Sequence, residues 1–213
     1  MVSDRYHATG AQAEYEPGSH GQVLRNRLGM TDPALMDRAE LALLLQLYEF
    51  VLHQQFPARR LRVADLMEWH RLWLGNVYYW AGQERSVNMG KGGFQFAAAA
   101  QITRLLQAFE AQCLRRYTPC QSMDDVALTE AIAVCHVEFI LIHPFREGNG
   151  RLSRLLADVM AVQAGRGLLD YSPWDADKGA YFSAIQRGMG MDYAPMAKLV
   201  SAALAVPGAA GRG

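Results

Sequence analysis

Residues 143–154, His-Pro-Phe-Arg-Glu-Gly-Asn-Gly-Arg-Leu-Ser-Arg, bring together several side chains that can do chemistry. His143 titrates near neutral pH and can act as a general base. Glu147 offers one carboxylate, and magnesium is commonly bound by one or two carboxylates together with phosphate oxygens and water. Arg151 and Arg154 are three residues apart, so on a helix they share one face and can reach the same polyphosphate.

Two glycines make the middle of this stretch suitable for binding phosphate. Gly148 and Gly150 allow the backbone to turn its N–H groups inward, and Asn149 between them tolerates left-handed geometry. A helix that begins here adds unpaired N–H groups and the positive end of its dipole. A lone Gly-Asn-Gly indicates only a turn. The complete set indicates transfer of a phosphate-containing group to a hydroxyl.

The flanking sequence predicts a helix on each side of this stretch. Before it, "DDVALTEAIAVCHVEFILIH" is apolar on nearly all sides, which indicates a central helix. That helix must end at His143, because Pro144 disfavours helical geometry in the residue before it. Ser122 and Asp125 resemble a capping box at its start. His136 within this helix is predicted to be either a core histidine or one that supports the site residues from behind. After the stretch, "GRLSRLLADVMAVQAG" predicts the second helix.

The remaining pattern predicts a mostly α, single-domain helical bundle with one β-hairpin. Asp32 and Pro33 are typical of a helix start, and the apolar spacing after them continues to about Gln55. The predicted segments are a polar lead-in at 1–30, the domain at 31–205, the hairpin at about 86–97, late helices at about 176–187 and 193–205, and a flexible tail at 206–213.

The composition excludes several classes of protein. Lys and Arg total 21 and Asp and Glu total 21, so there is no bulk positive charge for nucleic acid or an anionic membrane. No apolar segment is long enough to cross a membrane. Cys113, Cys120 and Cys135 are odd in number and lack CxxC spacing, which argues against a disulfide framework or a zinc site. Reduced thiols and the lack of a secretory signal predict a cytoplasmic protein.

Residues 143–154 resemble the Fic family signature HPFx(D/E)GNGRxxR at every specified position. The segment 76–97 resembles the sequence that leads into the flap hairpin of that family, and 15–37 resembles the lead-in of bacterial Fic proteins. The resemblance covers about 15–205. It implies a bundle of helices with one flap, and an enzyme that transfers AMP from ATP to a Ser, Thr or Tyr hydroxyl of a target protein.

The resemblance also implies a role for each residue of the motif. His143 is the base, Phe145 a buried anchor, and Glu147 the ligand of Mg²⁺. The residues that cradle the phosphates of ATP are Gly148, Asn149, Gly150 and Arg151, and Arg154 reaches the γ-phosphate. The flap residues that pair with the target are Lys91, Gly92, Gly93 and Phe94. Tyr181 and Tyr193, on the helices after the motif, are candidates for the adenine site.

Two alternatives to AMP transfer from ATP stay open at this point. One is a Fic-type transferase with another donor, transferring UMP, GMP, phosphorylcholine or a phosphoryl group. The other is an inactive module that binds nucleotide and a partner. Many Fic proteins also carry an inhibitory helix with the pattern (S/T)xxxE(G/N), but no Ser or Thr here has a glutamate four residues later. The resemblance therefore suggests a separate small antitoxin whose glutamate competes for Arg154.

Overall fold

The computed structural model describes residues 7–9 and 11–205 and confirms a mostly α fold with one β-hairpin. The predicted tail at 206–213 lies outside the described residues, as do 1–6 and 10 of the lead-in. The α-helices are α1 (Pro33–Glu49), α2 (Val63–Leu74), α3 (Ile102–Phe109), α4 (Arg115–Tyr117), α5 (Asp125–Ile142), α6 (Asn149–Gln163), α7 (Ser172–Ala176), α8 (Lys178–Arg187) and α9 (Ala194–Ala205). Short π-helical segments at Phe50–Gln54 and Glu110–Leu114 continue α1 and α3.

Among the described residues, three strands form one small antiparallel sheet in the order β1-β2-β3. They are β1 (His7–Thr9), β2 (Asn88–Lys91) and β3 (Phe94–Gln95). The last two are the predicted hairpin, and Gly92 and Gly93 join them with φ of 56° and 79°. A two-residue turn of this kind requires positive φ at both positions, which glycine adopts without strain. The sequence did not predict β1, because the lead-in has no alternating pattern that would indicate a strand.

The start of α1 is the one that the sequence predicts. The Asp32 carboxylate accepts hydrogen bonds from the N–H groups of Ala34 at 2.7 Å and Leu35 at 3.1 Å. Pro33 is the first helical residue, where its missing N–H has no consequence. The side-chain cap and the proline together fix this boundary.

The predicted capping box at the start of α5 is wrong. Ser122 lies in a turn before the helix, with φ of 67°. The carboxylate of Asp124 accepts the hydrogen bond from the Ala127 N–H instead, at 2.8 Å. An aspartate next to the helix is as good an N-cap as a serine, so the two candidates cannot be separated by residue type alone.

The described chain forms two compact units, each with its own apolar interior. The first contains residues up to Phe56, Val63–Leu106 and Ile142–Asn149. The second contains Pro57–Arg62, Gln107–Leu141 and the residues from Gly150 onward. Fully buried side chains of the first unit include Leu66, Trp73 and Leu74, and those of the second include Leu128, Phe139 and Trp174. Within the described ranges no helix has both the length and the apolarity to cross a membrane.

Candidate functional site

The segment 143–148 is the loop that the sequence predicts between two helices. α5 ends at Ile142 and α6 begins at Asn149. His143 has φ of 51°, a left-handed conformation that few residues other than glycine and asparagine adopt. Pro144 follows it and excludes the continuation of α5. The histidine that the motif singles out therefore stands at the point where the helix stops.

The imidazole of His143 is buried within the first unit, with 2% of the residue exposed. The ring of Phe96, just after β3, stacks on it with centroids 3.7 Å apart and planes 16° apart. The main-chain carbonyl of His143 accepts a hydrogen bond from Nε of Arg85 at 2.7 Å. The hairpin thus contributes a ring to one face of the histidine.

His70, on α2, supports the loop around Glu147. The N–H of Gly82 donates to its Nδ1 at 2.8 Å, so Nδ1 is the acceptor and Nε2 carries the proton. Nε2 then donates to the main-chain oxygen of Glu147 at 3.1 Å. The His70 ring also stacks on Phe145 with centroids 3.9 Å apart and planes 5° apart. A buried neutral histidine therefore fixes the backbone from which the Glu147 carboxylate projects.

The end of the loop is closed by two side chains that bond to nearby backbone. The half-buried Glu147 carboxylate accepts a hydrogen bond from the Gly148 N–H at 2.9 Å. The Asn149 amide accepts from the Phe145 N–H at 2.9 Å and donates to the Phe145 carbonyl at 2.7 Å. Phe145 itself is fully buried, as predicted. The two hydrogen bonds of the Asn149 side chain therefore fix the shape of the loop.

The second unit contains the rest of the motif. Gly150 and Arg151 lie in the first turn of α6, and Arg154 lies one turn further along. The Arg154 guanidinium binds both carboxylate oxygens of Asp175, at 2.7 and 3.2 Å, and lies 4.9 Å from the centre of the Tyr171 ring. Hydrogen bonding from Arg154 lowers the pKa of Asp175. Arg154 is thus held on two sides by residues of this unit.

His136 is a core histidine, the first of its two predicted roles, and is 1% exposed. Its Nδ1 lies 3.4 Å from the Ser153 carbonyl and its Nε2 lies 2.9 Å from the Tyr181 hydroxyl. A carbonyl oxygen can only accept, so Nδ1 carries the proton and Nε2 accepts from tyrosine. Burial lowers the pKa of His136 to about 3. The residue is therefore neutral and structural at physiological pH.

Acid should destabilise the protein partly through this histidine. With a pKa of about 3 when folded and 6.5 when unfolded, the unfolded state takes up the proton first as the pH falls. Between pH 7 and 5 the wild type should lose about 2 kcal/mol more free energy of unfolding than the His136→Gln variant. Urea unfolding at both pH values measures this difference. Parallel losses in the two proteins would show that His136 does not titrate on unfolding.

The two tyrosines proposed for adenine lie in different surroundings within the second unit. Tyr181 packs against Trp174, with ring centroids 5.5 Å apart, and Trp174 in turn contacts Tyr171 beneath Arg154. Tyr193 donates to Glu138 at 2.6 Å and lines a surface groove of about 600 Å³ between the starts of α5 and α9. Of the two, only Tyr181 belongs to the aromatic cluster that reaches the motif arginine.

The predicted flap residues form the tip of the hairpin. Lys91 ends β2 and pairs with Phe94 at the start of β3, and the exposed Gly92 and Gly93 are the turn between them. The rings of Phe94 and Phe96 meet edge to face, 5.4 Å apart. One aromatic surface of the first unit therefore runs from the tip of the hairpin back to its base.

Two residues next to the motif could not be identified from the sequence as part of the site. Arg85 precedes the hairpin and His70 lies in an aromatic helix, both far from 143–154 along the chain. Each contacts only main-chain atoms of the loop in the hydrogen bonds described above. The local sequence contains no signal for either residue, because Arg85 follows Gln83 and Glu84, and the helix of His70 also contains other charged residues, Asp65, Glu68 and Arg71.

Comparison with known sequences identifies the same family that the motif at 143–154 resembles. The family model described as Fic/DOC matches residues 60–161. The chain is 30% identical over 193 residues to the probable protein adenylyltransferase y4lH of Sinorhizobium fredii, covering 91% of this chain and 95% of that protein. It is also 30% identical over 143 residues to the protein adenylyltransferase VbhT of Bartonella schoenbuchensis, but spans only 30% of that longer protein.

Solved structures with the same fold come from Bartonella effector proteins. The N-terminal FIC domain of Bep8 from Bartonella sp. 1-1C superposes with a TM-score of 0.77 at 20% identity, covering 94% of this chain and 99% of that one. BepC from Bartonella tribocorum, solved with bound AMPPNP, has a TM-score of 0.69 at 22% identity and covers 84% of this chain and 91% of that one. At these identities the likeness establishes the fold.

Proposed function

The chain belongs to the Fic/DOC family, and from this premise we propose that it transfers AMP from ATP to a Ser, Thr or Tyr hydroxyl of a protein. The observation that carries the proposal is the complete motif at 143–154, placed on the loop before α6 and in its first turns. A relative named as a probable protein adenylyltransferase, matched over nearly its whole length, supports the same activity.

In the proposed reaction His143 acts as the general base. Its imidazole accepts the proton of the target hydroxyl while the hydroxyl oxygen attacks the α-phosphorus of ATP. The bond between the α-phosphorus and the oxygen that bridges to the β-phosphate breaks, and pyrophosphate leaves. A phosphodiester links AMP to the target, and the proton taken up by His143 is later lost to solvent. No covalent intermediate on the enzyme is needed.

Glu147, the acidic residue of the motif, suits a magnesium ion that arrives with the nucleotide. Within the described ranges no group of three or more His, Cys, Asp or Glu is placed to hold a metal ion, so an all-protein cage is not formed there. Glu147 supplies one half-buried carboxylate, and Mg²⁺ is usually bound by one or two carboxylates plus phosphate oxygens and waters. When bound, Mg²⁺ would neutralise phosphate charge, with Glu147 as its protein ligand.

The phosphates are assigned to the backbone and arginines at the start of α6. The N–H groups of Gly148, Asn149 and Gly150 precede or open the helix, where its dipole favours an anion. The Gly148 N–H donates to the Glu147 carboxylate in this structure and would have to exchange that contact for a phosphate oxygen. Arg151 and Arg154 add guanidinium groups that suit phosphate oxygens. In this assignment Arg154 binds the γ-phosphate. To do so, its guanidinium must give up its contact with Asp175 or share its donors between the carboxylate and the phosphate.

Replacing Arg154 should therefore weaken ATP binding selectively. Loss of a charge-assisted pair of hydrogen bonds is expected to cost about 1.5–3 kcal/mol, or roughly 10- to 100-fold in affinity for ATP. AMP, which lacks the γ-phosphate, should be affected much less by Arg154→Ala. Calorimetric titration with ATP, ADP and AMP measures the difference. Arg187→Ala, which removes an exposed arginine of the same unit paired with Asp192, is the control. Equal losses for all three nucleotides would place the γ-phosphate elsewhere.

The hairpin is the proposed docking site for the target. An extended segment can add to a sheet edge by main-chain pairing, and Gly92 and Gly93 permit close approach of another backbone. In the first unit β1 already pairs with β2, through His7 to Thr9 against Asn88 to Gly90. A target strand would therefore add at β3, on the Phe94 side, or displace β1.

A separate antitoxin is the proposed regulator. The Arg154 guanidinium pairs with the Asp175 carboxylate in this structure, and 28% of the Arg154 side chain is exposed, which leaves surface for an acidic side chain to approach. A glutamate from a partner protein would compete for the same donors. Co-purification of a small acidic partner, lost on Arg154→Ala, is the expected result; its absence in wild-type preparations would remove this part of the proposal.

Labelled ATP tests the function directly. Wild-type protein is incubated with magnesium, a cell lysate and ATP labelled at either the α- or the γ-phosphate. Label on protein from the α-position, and none from the γ-position, is the result expected for AMP transfer. Label from the γ-position only would indicate a kinase, and no label from either would leave a nucleotide-binding module. Parallel incubations with labelled UTP and GTP identify another donor.

A further inference from the structure

Arg85 is a buried arginine whose described partners are all main-chain carbonyls. The residue is 2% exposed and lies wholly within the first unit. Nε donates to the His143 carbonyl at 2.7 Å, and Nη2 lies 3.3 Å from the Ile142 carbonyl. Nη1 donates to Val87 O and Nη2 to Ala97 O, each at 2.5 Å. Burial lowers its pKa to about 10, so the side chain is still charged at neutral pH.

These four carbonyls come from two different parts of the first unit. Val87 immediately precedes β2 and Ala97 follows β3, so one guanidinium binds both ends of the hairpin. Ile142 is the last residue of α5 and His143 follows it, so the same group satisfies carbonyls at a helix C-terminus, where a cation is favoured. The Arg85 N–H also donates to the Pro144 carbonyl at 2.7 Å.

The planar guanidinium of arginine has fixed donor directions, so it joins two segments more rigidly than the single ammonium of lysine can. A buried carbonyl or a buried cation that loses its hydrogen bonds costs free energy. We therefore expect the hairpin and the end of α5 to lose their contacts with Arg85 in one cooperative opening. The Phe96 ring stacked on His143 is a second contact between the same two segments.

We propose that Arg85 is a positioning residue that fixes the hairpin relative to His143, so that the docking segment and the base move as one body. The inference rests on the proposed function only in naming the hairpin as the docking site and His143 as the base. Its structural part, the coupling of the two segments, is testable without any target protein.

The first test is hydrogen exchange followed by mass spectrometry on the Arg85→Lys variant, which keeps the charge and loses the fork. Exchange is expected to rise about tenfold or more in peptides covering 86–97 and, to a similar extent, 142–148. Arg104→Lys, an exposed arginine of the same unit bonded to Gln101, is the matched control and should change neither segment. Faster exchange in the hairpin alone, or in neither segment, would overturn the coupling.

Wild-type exchange in graded denaturant keeps the inference testable if the variant fails to fold. The Phe96 N–H, bonded to Met89 O at 3.1 Å, and the Phe145 N–H, bonded to Asn149 at 2.9 Å, report on the two segments. Both should open with the same free energy and denaturant dependence, below that of global unfolding. Separate openings would contradict the proposal.

Activity gives the last readout. With α-labelled ATP and lysate, Arg85→Lys is expected to lower AMP incorporation by about 10- to 100-fold, because small displacements of reacting groups have effects of this size. The affinity for ATP should stay within about twofold of wild type, since no phosphate contact is assigned to Arg85. Wild-type rates in this variant would remove the positioning role. If the wild-type protein transfers no α-label to lysate proteins, that result would count against the proposed function. The hydrogen-exchange result would still stand.

Discussion

Replacing His143 is expected to lower AMP transfer by about 10²- to 10⁴-fold, the range associated with loss of a general base. The choice of substitution matters, because residue 143 has φ of 51°. Asparagine tolerates this left-handed conformation better than alanine does, so His143→Asn removes the proposed base with less disturbance of the backbone. Incorporation of α-labelled AMP into lysate proteins measures the loss.

Nucleotide binding separates a chemical role of His143 from a structural one. The His143→Asn variant should bind ATP within about twofold of wild type, because the phosphates are assigned to residues after it in the motif. His53→Ala removes an exposed histidine of the same unit and should leave transfer unchanged. Transfer at the wild-type rate in His143→Asn would exclude the base role. Loss of both transfer and ATP binding would indicate a residue that holds the loop together.

The sequence predicts those features of the site that depend on neighbouring residues. Pro144 ends α5 at the expected place, and Gly92 and Gly93 form the turn of the predicted hairpin. The motif at 143–154 is likewise contiguous, so its order and spacing are visible without a fold. In each case the physical cause, a fixed φ or a permitted positive φ, is a property of one or two residues.

Features that depend on tertiary contacts were not predictable in the same way. Arg85 and His143 are 58 positions apart, and nothing in the local sequence distinguishes a buried arginine from an exposed one. The pairing of Arg154 with Asp175, 21 positions later, depends on the path of the chain after α6. Strand β1 depends on a partner near residue 90. These contacts decide how the motif is held, whereas the motif itself indicates what it does.

The two glycines of the motif should respond in opposite ways to alanine. Gly148 has φ of 83°, and a Cβ built there would lie 2.6 Å from Cζ3 of Trp73. Trp73 is 1% exposed and its indole N–H donates to Glu40 O at 2.9 Å, so the ring has little room to move. Left-handed strain of about 1–2 kcal/mol and overpacking of about 1–3 kcal/mol predict that Gly148→Ala lowers the free energy of unfolding by about 2–5 kcal/mol.

Gly150 is the matched control because it lies in the first turn of α6, and a Cβ there meets no atom of another described segment within 4 Å. Alanine has the higher helix propensity, so Gly150→Ala should leave stability unchanged or raise it by up to about 1 kcal/mol. Thermal unfolding should therefore separate the two variants, with Gly148→Ala melting about 5–15 °C below wild type. Equal melting temperatures would mean that Trp73 yields and the steric argument fails.

Nucleotide binding by the Gly150→Ala variant tests the proposed phosphate site independently of stability. Beyond its own helix and chain neighbours, no atom of the described residues lies within 4 Å of a Cβ built at Gly150, and the proposed phosphates would occupy this space. A methyl group there should weaken ATP binding in a protein that is as stable as wild type, since the cradle requires close approach of the backbone to phosphate. Unchanged stability with unchanged ATP affinity would place the phosphates away from Gly150, and the assigned cradle would be wrong at that position.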